Sequence, residues 1–478
     1  MTIIQSAIKG FSWLAAFRAI SQLFSWGTTI IVARLLVPDD YGLMEMATIF
    51  TGYVVLISEL GLGSAIVQRS EIDEKELSSI FWFFLFWGLV LMLVCYLLAI
   101  PTAVLFNNPK IIQITQATGI IYIFSVLLIV PRAILLRQLR FRAIGFCEAL
   151  SIVLSCLVMI FAAYNQFGVW TLIIGHIVRE VGKFALFLRV LSWRPIRHYN
   201  YREVKPFLSF GLNVALGNSL DYVVNKSDRF FCGRQYDAGT VGLYALGLQI
   251  AQMANEKIIS LVNNVAFPVF SKYQENLEKS RILLIKLTQL IALVTGPIFF
   301  GIAVVGEDLV LVLFGEKWRG AILPLQLLCI GQFFVALTSP FVSVNVAQNR
   351  PQWILYFNLA AIAILPPAFY ICAQYSYLYL AIPWITLSPL LRIIFAYYTL
   401  RQLDLNWAKL IAALRMPLII SLLMSLTVYF LRGYLFQFSF SLWANLALQV
   451  AAGVLVVVLC LLFLQKQLRA AAASIWNL

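Results

Sequence analysis

Charge is scarce in this chain. Asp, Glu, Lys and Arg make up 12% of its 478 residues, about half of the roughly 25% usual in soluble domains. Hydrophobic residues reach 62% and the mean hydropathy is +0.89. That balance excludes a soluble enzyme of this size. A spanning helix takes about 20 apolar residues, so the chain has room for roughly fourteen spans and no sizeable domain outside them. The motifs of soluble catalysis are missing as well: there is no Walker A sequence, no GxGxxG after a strand, no GxSxG elbow and no metal-ligand spacing. Without an ATP site, this chain alone does not act as a primary pump. Histidine occurs twice, and the seven cysteines stand singly with no CxxC and no neighbouring His pair. Neither a disulfide framework nor a metal site is expected, and no cofactor.

The formal net charge is +14, which in a soluble protein would suggest nucleic acid. Here the basic residues fall in short loops between apolar runs, the pattern of cytoplasmic loops facing anionic lipid, so no nucleic-acid partner is expected. The runs lie near 11–33, 41–67, 79–104, 112–131, 145–164, 168–190, 207–231, 240–265, 283–306, 321–342, 352–373, 378–400, 416–431 and 441–464. With an internal N-terminus, one set of loops collects about 22 Lys and Arg and the other about 6. Both termini are therefore expected in the cytoplasm. The first run carries Arg18, follows no basic leader and precedes no small-residue cleavage site, so it reads as a retained span.

An internal repeat is visible. ARLLVPDDYGL contains Arg34, Gly42 and Leu43, and GRQYDAGTVGL contains Arg234, Gly242 and Leu243. At a slightly larger offset, Val104-Leu105-Phe106 matches Val312-Leu313-Phe314, and Pro131 followed by Arg140 matches Pro340 followed by Arg350. Each unit holds about six spans. An even number returns the chain to the same side, so the units are parallel repeats about an axis along the membrane normal, a geometry suited to alternating access. The expected fold is an all-α integral membrane protein of about fourteen helices. Residues 1–200 form an N-lobe, 201–405 a C-lobe, and 406–478 two additional helices.

Ionisable residues inside spans cost about 2.5–3.5 kcal/mol on insertion scales and normally face a cavity or a partner. In the first span Arg18, Gln22, Ser25 and Thr29 share one narrow helical face. The repeat-related seventh span carries Asn218, Asp221, Asn225, Asp228 and Arg229, with Lys226 at the stripe's edge. The second span adds Glu45, Thr48, Gly52 and Glu59, and the eighth Gln249, Gln252 and Glu256. The sixth has His176, Arg179, Glu180 and Lys183, and Arg392 is a lone charge in the twelfth. Structural roles stay open for several of these. Arg18 is near enough to its helix end to snorkel, Arg179, Glu180 and Lys183 would also serve as an ion-pair cluster, and Glu45 would also suit a solvated helix end. The prominence of Arg18, Arg179, Lys183, Lys226, Arg229 and Lys257 suits an anionic substrate such as a lipid-linked phosphate or pyrophosphate. Asp221, Asp228 and Glu59 are candidates for coupling to H+ or Na+. In-span prolines (Pro101, Pro131, Pro297, Pro340, Pro366, Pro367, Pro383, Pro389) mark kinks.

The opening GFSWLAAFRAISQLFSWGTTIIVARLLVPDDYGLMEMA, followed by ISELGLGSAIVQR, PRAILLRQLRFRAIGFCE and FLSFGL, resembles the polysaccharide transporter branch of the multidrug/oligosaccharidyl-lipid/polysaccharide (MOP) flippase superfamily. The likeness covers essentially the whole chain and is greatest to the Wzx-type O-antigen and colanic-acid exporters. It implies fourteen helices, alternating access, and flipping of an undecaprenyl-pyrophosphate-linked oligosaccharide across the bacterial inner membrane for surface polysaccharide, lipopolysaccharide or exopolysaccharide biosynthesis. It also implies a cationic cavity, which Arg18, Lys226 and Arg229 fit, with Arg179 and Lys183 less directly placed. Membrane lipids and polysaccharide polymerase or assembly proteins are the implied partners. Alternatives are a lipid II or small-molecule exporter of the same fold, or, from another class, a membrane glycosyltransferase or assembly scaffold. A small-molecule exporter of cations would need an acidic cavity, and an enzyme would need acids at a rim.

Overall fold

A computed structural model describes residues 3–59, 63, 66–67, 69, 72–435, 437 and 440–463. Among them there is no strand. The helices are α1 (Ile3–Leu35), α2 (Pro38–Glu59), α3 (Glu74–Leu105), α4 (Lys110–Leu127), α5 (Ile129–Arg137), α6 (Phe141–Tyr164), α7 (Trp170–Val190), α8 (Tyr201–Gln235), α9 (Ala238–Lys272), α10 (Leu277–Leu313), α11 (Ile322–Ala347), α12 (Gln352–Ala373), α13 (Ile382–Ile385), α14 (Leu387–Gln402), α15 (Trp407–Leu435) and α16 (Leu442–Phe463). Nine segments among the described residues are long and apolar enough to cross a membrane, or ten when α1 and α2, which meet at 117°, are taken as one bent span. The chain is a multi-pass membrane protein.

Local chemistry accounts for the ends of these helices. Asp73 and Glu76 form a capping box on α3, satisfying donors that the first turn leaves open. Asn200 and Asn276 cap α8 and α10 by accepting from Arg202 N and Lys279 N. Prolines act in two ways. Pro101, Pro297, Pro340, Pro366 and Pro367 sit inside continuous helices, whereas Pro131, Pro383 and Pro389 stand in the first turns of α5, α13 and α14, just after breaks. A proline removes one donor and crowds the preceding turn, so the chain restarts its helix there.

Packing divides the chain into two compact units, residues 1–242 and 243–478. In the first, α1 packs on α6, α6 on α7, α3 on α4, and α2 on α3, α4 and α8. The helix that opens the second sequence repeat, α8, thus belongs by packing to the first unit, which extends past the repeat boundary at residue 200. The link between repeats is clasped to the start of α3. Trp82 Nε1 donates to Ile196 O at 2.7 Å, Ser79 Oγ to Glu203 Oε2 at 2.6 Å, and Asn200 N to Ser79 Oγ at 3.0 Å. The Ser79 hydroxyl, with His198 beside it, holds the Glu203 carboxyl below the usual carboxylate range.

In the second unit, α10 packs on α11, α15 and α16, and α14 on α11 and α12. The last two helices, α15 and α16, pack on each other and on α10 around Val305, Met424 and Val428. A polar cluster pins this hairpin. Asp308 Oδ2 accepts from Gln449 Nε2 at 2.8 Å and forms an ion pair with Arg432 Nε at 3.3 Å, and Arg432 Nη2 also bonds Glu307 Oε2. Exposure follows the solvent expected of lipid: only 11% of the apolar window of α16 is buried, against 61% for α4 with α5. In hydrocarbon an apolar outer surface carries no penalty.

Asp308→Ala removes the acceptor shared by Arg432 and Gln449, and leaving such donors unmade costs about 1–3 kcal/mol. A lowered unfolding temperature of the purified protein in detergent is the expected result, with Glu316→Ala, whose side chain is 70% exposed, as the silent control.

Candidate functional site

The strongest concentration of charge in the first unit joins α2 to α8. Glu45 sits about two turns into α2, on the face that carries Thr48 and Gly52, and its side chain is 18% exposed. Its Oε1 accepts from Lys226 Nζ at 2.7 Å and from Arg229 Nη1 at 3.0 Å. Arg229 is held from behind as well: Asp228 Oδ1 accepts from Arg229 N at 2.7 Å and from its Nε at 3.3 Å, and Nη2 bonds Asn225 O. The side chains of Asp228 and Arg229 are 0% and 9% exposed. Two carboxylates and two cations make the group neutral overall, the condition under which buried charge is tolerated.

The backbones of α2 and α8 approach because glycine and tyrosine interlock beside the charges. Tyr222 Oη donates to Ile49 O at 2.7 Å, and a Cβ on Gly52 would lie 2.3 Å from that oxygen. On the other side Phe50, Phe106 and Phe230 from α2, α3 and α8 pack with ring centroids 6.0–6.4 Å apart. The ion cluster is thus enclosed by apolar and aromatic groups, where charge–charge interactions are less screened than in water.

One end of this assembly is closed by the repeat itself. A Cβ on Gly42 would lie 1.7 Å from Ala238 O, and a Cβ on Gly242 would lie 1.9 Å from Pro38 O. Each of these Cβ positions is 3.0 Å from the other glycine's nitrogen. The two residues that the sequence repeat pairs therefore touch, backbone against backbone, where the first turns of α2 and α9 cross.

The remaining sequence-selected residues fall into separate settings. Arg18 has a side chain 54% exposed and pairs with Glu148 at 3.6 Å, a carboxylate that Arg132 also approaches at 3.4 Å. Gln22 is half-buried, and Thr29 Oγ1 donates to Ser25 O. Arg179 Nε and Lys183 Nζ both donate to the buried Glu180, at 3.1 and 2.7 Å, a cluster of net charge +1. Asp221 is exposed, and its backbone oxygen accepts from Asn225 Nδ2. In the second unit Gln249 and Glu256 are exposed and Gln252 half-buried, while Arg392 donates to Thr338 Oγ1 at 2.8 Å and lies 5.5 Å from the Phe357 ring centre. The side chains of Glu59, Asn218 and Lys257 lie outside the described residues.

The structure brings Lys226, Asn225, Asp228 and Arg229 together and places Arg18 and the Arg179–Glu180–Lys183 group elsewhere. Glu45, which joins the first set, was open in sequence between a solvated helix end and an intramembrane partner. Its signal was the need of an in-span carboxylate for a cation, but the partners lie more than 180 residues away in the chain. Among the described residues, no group of three or more His, Cys, Asp or Glu is arranged to hold a metal ion.

Known proteins resemble this chain in sequence and fold. The family described as "Polysaccharide biosynthesis protein" matches residues 31–323. The chain is 25% identical over 382 residues to the lipopolysaccharide biosynthesis protein WzxC of Escherichia coli K12, covering 78% of this chain and 76% of WzxC. It is 25% identical over 418 residues to the teichuronic acid biosynthesis protein TuaB of Bacillus subtilis 168, covering 87% and 86%. Its fold is similar to that of the lipid II flippase MurJ in an inward closed conformation, with a TM-score of 0.72 at 16% identity over 95% of this chain and 99% of MurJ. An inward-facing multidrug transporter of the MATE family, in the MOP superfamily, has a TM-score of 0.65 at 15% identity over 80% and 94%. The all-helical membrane fold expected from sequence is thus similar to the folds of these two transporters.

Any side chain at Gly42 or Gly242 must part the crossing, because the obstructing atoms are backbone. Overpacking of this kind costs about 1–3 kcal/mol. Gly42→Ala and Gly242→Ala should each lower the unfolding temperature of the purified protein in detergent, while Gly27→Ala, whose added Cβ meets nothing within 4 Å, should not; thermal unfolding followed by circular dichroism checks this.

Proposed function

The chain belongs to the polysaccharide biosynthesis protein family, and from that premise we propose that it carries an undecaprenyl-pyrophosphate-linked oligosaccharide repeat unit across the bacterial inner membrane by alternating access. Named relatives support this reading: WzxC in lipopolysaccharide biosynthesis, TuaB in teichuronic acid biosynthesis, and ExoT of Rhizobium meliloti, a succinoglycan biosynthesis transport protein. The loop charges put both termini in the cytoplasm and the α1–α2, α3–α4 and α8–α9 turns outside.

The observation that carries the mechanism is the sharing of Glu45 by Lys226 and Arg229. A pyrophosphate is the natural competitor of a carboxylate for that pair. Arginine presents two parallel donors to phosphate oxygens and lysine a compact charge. In the state described here the cations are neutralised by the protein's own acid. When substrate phosphate reaches them, Glu45 is displaced, the link between α2 and α8 loosens, and the two states exchange. On release of the phosphate, Glu45 returns. The substrate shifts the equilibrium only by as much as it binds the opened state more tightly, and the two cations supply that difference. Arg18 and the Arg179–Glu180–Lys183 group, each with spare positive charge or partial exposure, serve as further contacts for the phosphates. No bond is made or broken. The exposed acids Asp221 and Glu256 are the groups we assign to a coupling H+ or Na+. A polysaccharide polymerase would consume the product on the outer side.

Arg229→Ala, Lys226→Ala and Arg18→Ala are each expected to abolish export with complete lipid-linked repeat units retained on the inner leaflet, as read by mass spectrometry of extracted lipids and an impermeant glycan probe. Arg18→Lys and Arg229→Lys should keep part of it. Normal export by all three alanine variants contradicts the cation reading, and incomplete repeat units in a deletion strain contradict transport itself.

Glu45→Gln removes the acid that Lys226 and Arg229 share and leaves Arg229 paired with Asp228 alone. It should bind undecaprenyl pyrophosphate at least tenfold more tightly in nanodiscs while exporting more slowly, because release loses its competitor. Unchanged affinity in this variant contradicts the exchange.

A further inference from the structure

Where α2, α3 and α8 end together, the first unit holds a cavity of about 410 Å3, inside the roughly 300–1,000 Å3 range of small-molecule sites. Its rim is Asp39, Asn107, Arg234, Gln235, Tyr236 and Asp237. These are amides, carboxylates, a guanidinium and a phenol, which between them offer donors and acceptors in nearly equal measure. Its floor is apolar: Met46 and Phe106, 1% and 6% exposed, with the Phe106 ring admitted because Gly233 has no side chain; a Cβ there would lie 2.9 Å from it. Asn107 takes a positive φ of 50°, a conformation that asparagine tolerates better than most residues.

None of the charge cluster at Glu45 lines this cavity, and its electrostatics run the other way. Asp39 and Asp237 outnumber Arg234, giving the rim a formal charge of −1, which disfavours phosphate. Arg234 itself is exposed and makes no ion pair among the described residues. A ligand that fits must be uncharged or cationic, rich in groups that both donate and accept, and small enough for the volume. A sugar ring has hydroxyls that do both and an apolar C–H face to lay on the Tyr236 ring or the apolar floor.

We propose that this cavity is a second binding site, one that takes neutral or amino-sugar rings of the glycan at the end of the molecule opposite the basic loops. The proposal rests on the translocation reading for the identity of the glycan, but its chemistry is the cavity's own. It gives the protein a hold on sugar separate from its hold on phosphate. The site lies beside the Gly42–Gly242 crossing, since Ala238 belongs to both, so a ring seated there would press on the contact that closes this end.

Saturation-transfer NMR on the full-length protein in nanodiscs, with millimolar glucose, galactose, N-acetylglucosamine and glucuronate as probes, tests this. The expected result is transfer to at least one neutral sugar, little to glucuronate, and a loss of at least fivefold in Asn107→Ala/Gln235→Ala and in Arg234→Ala at unchanged unfolding temperature. No transfer to any neutral sugar, equal transfer in the variants, or a dominant glucuronate signal overturns it. Export by the wild type in a complemented deletion strain separates the two readings. Restored export without sugar transfer removes the cavity proposal alone. Sugar transfer that the variants abolish, with glycan reaching the outer leaflet whether or not the protein is present, keeps the cavity proposal and removes translocation alone.

Discussion

One carboxylate in an apolar helix sets the terms for the first unit. Glu45 accepts from both Lys226 and Arg229, and the three charges, with Asp228 behind, make a neutral group that none of them would make alone. A buried charge without a partner is expensive, and removing one partner from a buried pair typically costs about 3–5 kcal/mol. The interaction therefore fixes α8 against α2 so long as nothing else satisfies the cations. It is strong and specific, yet open to exchange, because a phosphate satisfies the same donors as a carboxylate. In the exchange we propose, stability of the resting state and readiness to release it come from the same four side chains.

The surrounding packing limits what movement that exchange can produce. Tyr222 is bonded to the α2 backbone at Ile49 over the bare surface of Gly52, and Phe50, Phe106 and Phe230 fill the neighbouring corner. Close-packed interfaces switch between discrete arrangements rather than deform continuously. The Gly42–Gly242 crossing is such an interface: with backbone touching backbone, it is either made or parted. In the second unit the corresponding restraint is different in kind. Asp308, Arg432 and Gln449 tie the α15–α16 hairpin to α10, so these two helices, outside the repeat in sequence, move with α10.

Much of the architecture was legible in the sequence because lipid imposes simple rules. Long apolar runs must be helices, and the same rule made the repeat readable through Arg34, Gly42 and Leu43 against Arg234, Gly242 and Leu243. The contact between Gly42 and Gly242 was not legible, since a repeat says which residues are equivalent and not which ones touch. The seventh-span stripe groups Asn225, Asp228 and Arg229, because helical spacing puts them on one side. Periodicity does not tell whether such a stripe faces water or a carboxylate from another helix, so Glu45 as the shared acid stayed hidden. The extension of the first compact unit to residue 242, past the repeat boundary, has the same origin: α8 opens the second repeat yet packs on α2 and α3. The cavity at the ends of α2, α3 and α8 draws on Asn107, in the turn after α3, and on Gln235 and Tyr236, inside the repeat segment GRQYDAGTVGL, and a repeat does not show which helix ends meet around a cavity.

The exchange of Glu45 for phosphate is measured most directly as a distance. Spin labels at Val37→Cys and Val223→Cys, both exposed positions at the edges of α2 and within α8, would report the α2–α8 separation in nanodiscs by double electron–electron resonance. Adding undecaprenyl pyrophosphate should shift the population to a longer distance in the wild type and leave it unmoved when Lys226 and Arg229 are both alanine. A separation that undecaprenyl pyrophosphate leaves unchanged in the wild type, or shifts equally without the two cations, would contradict the account.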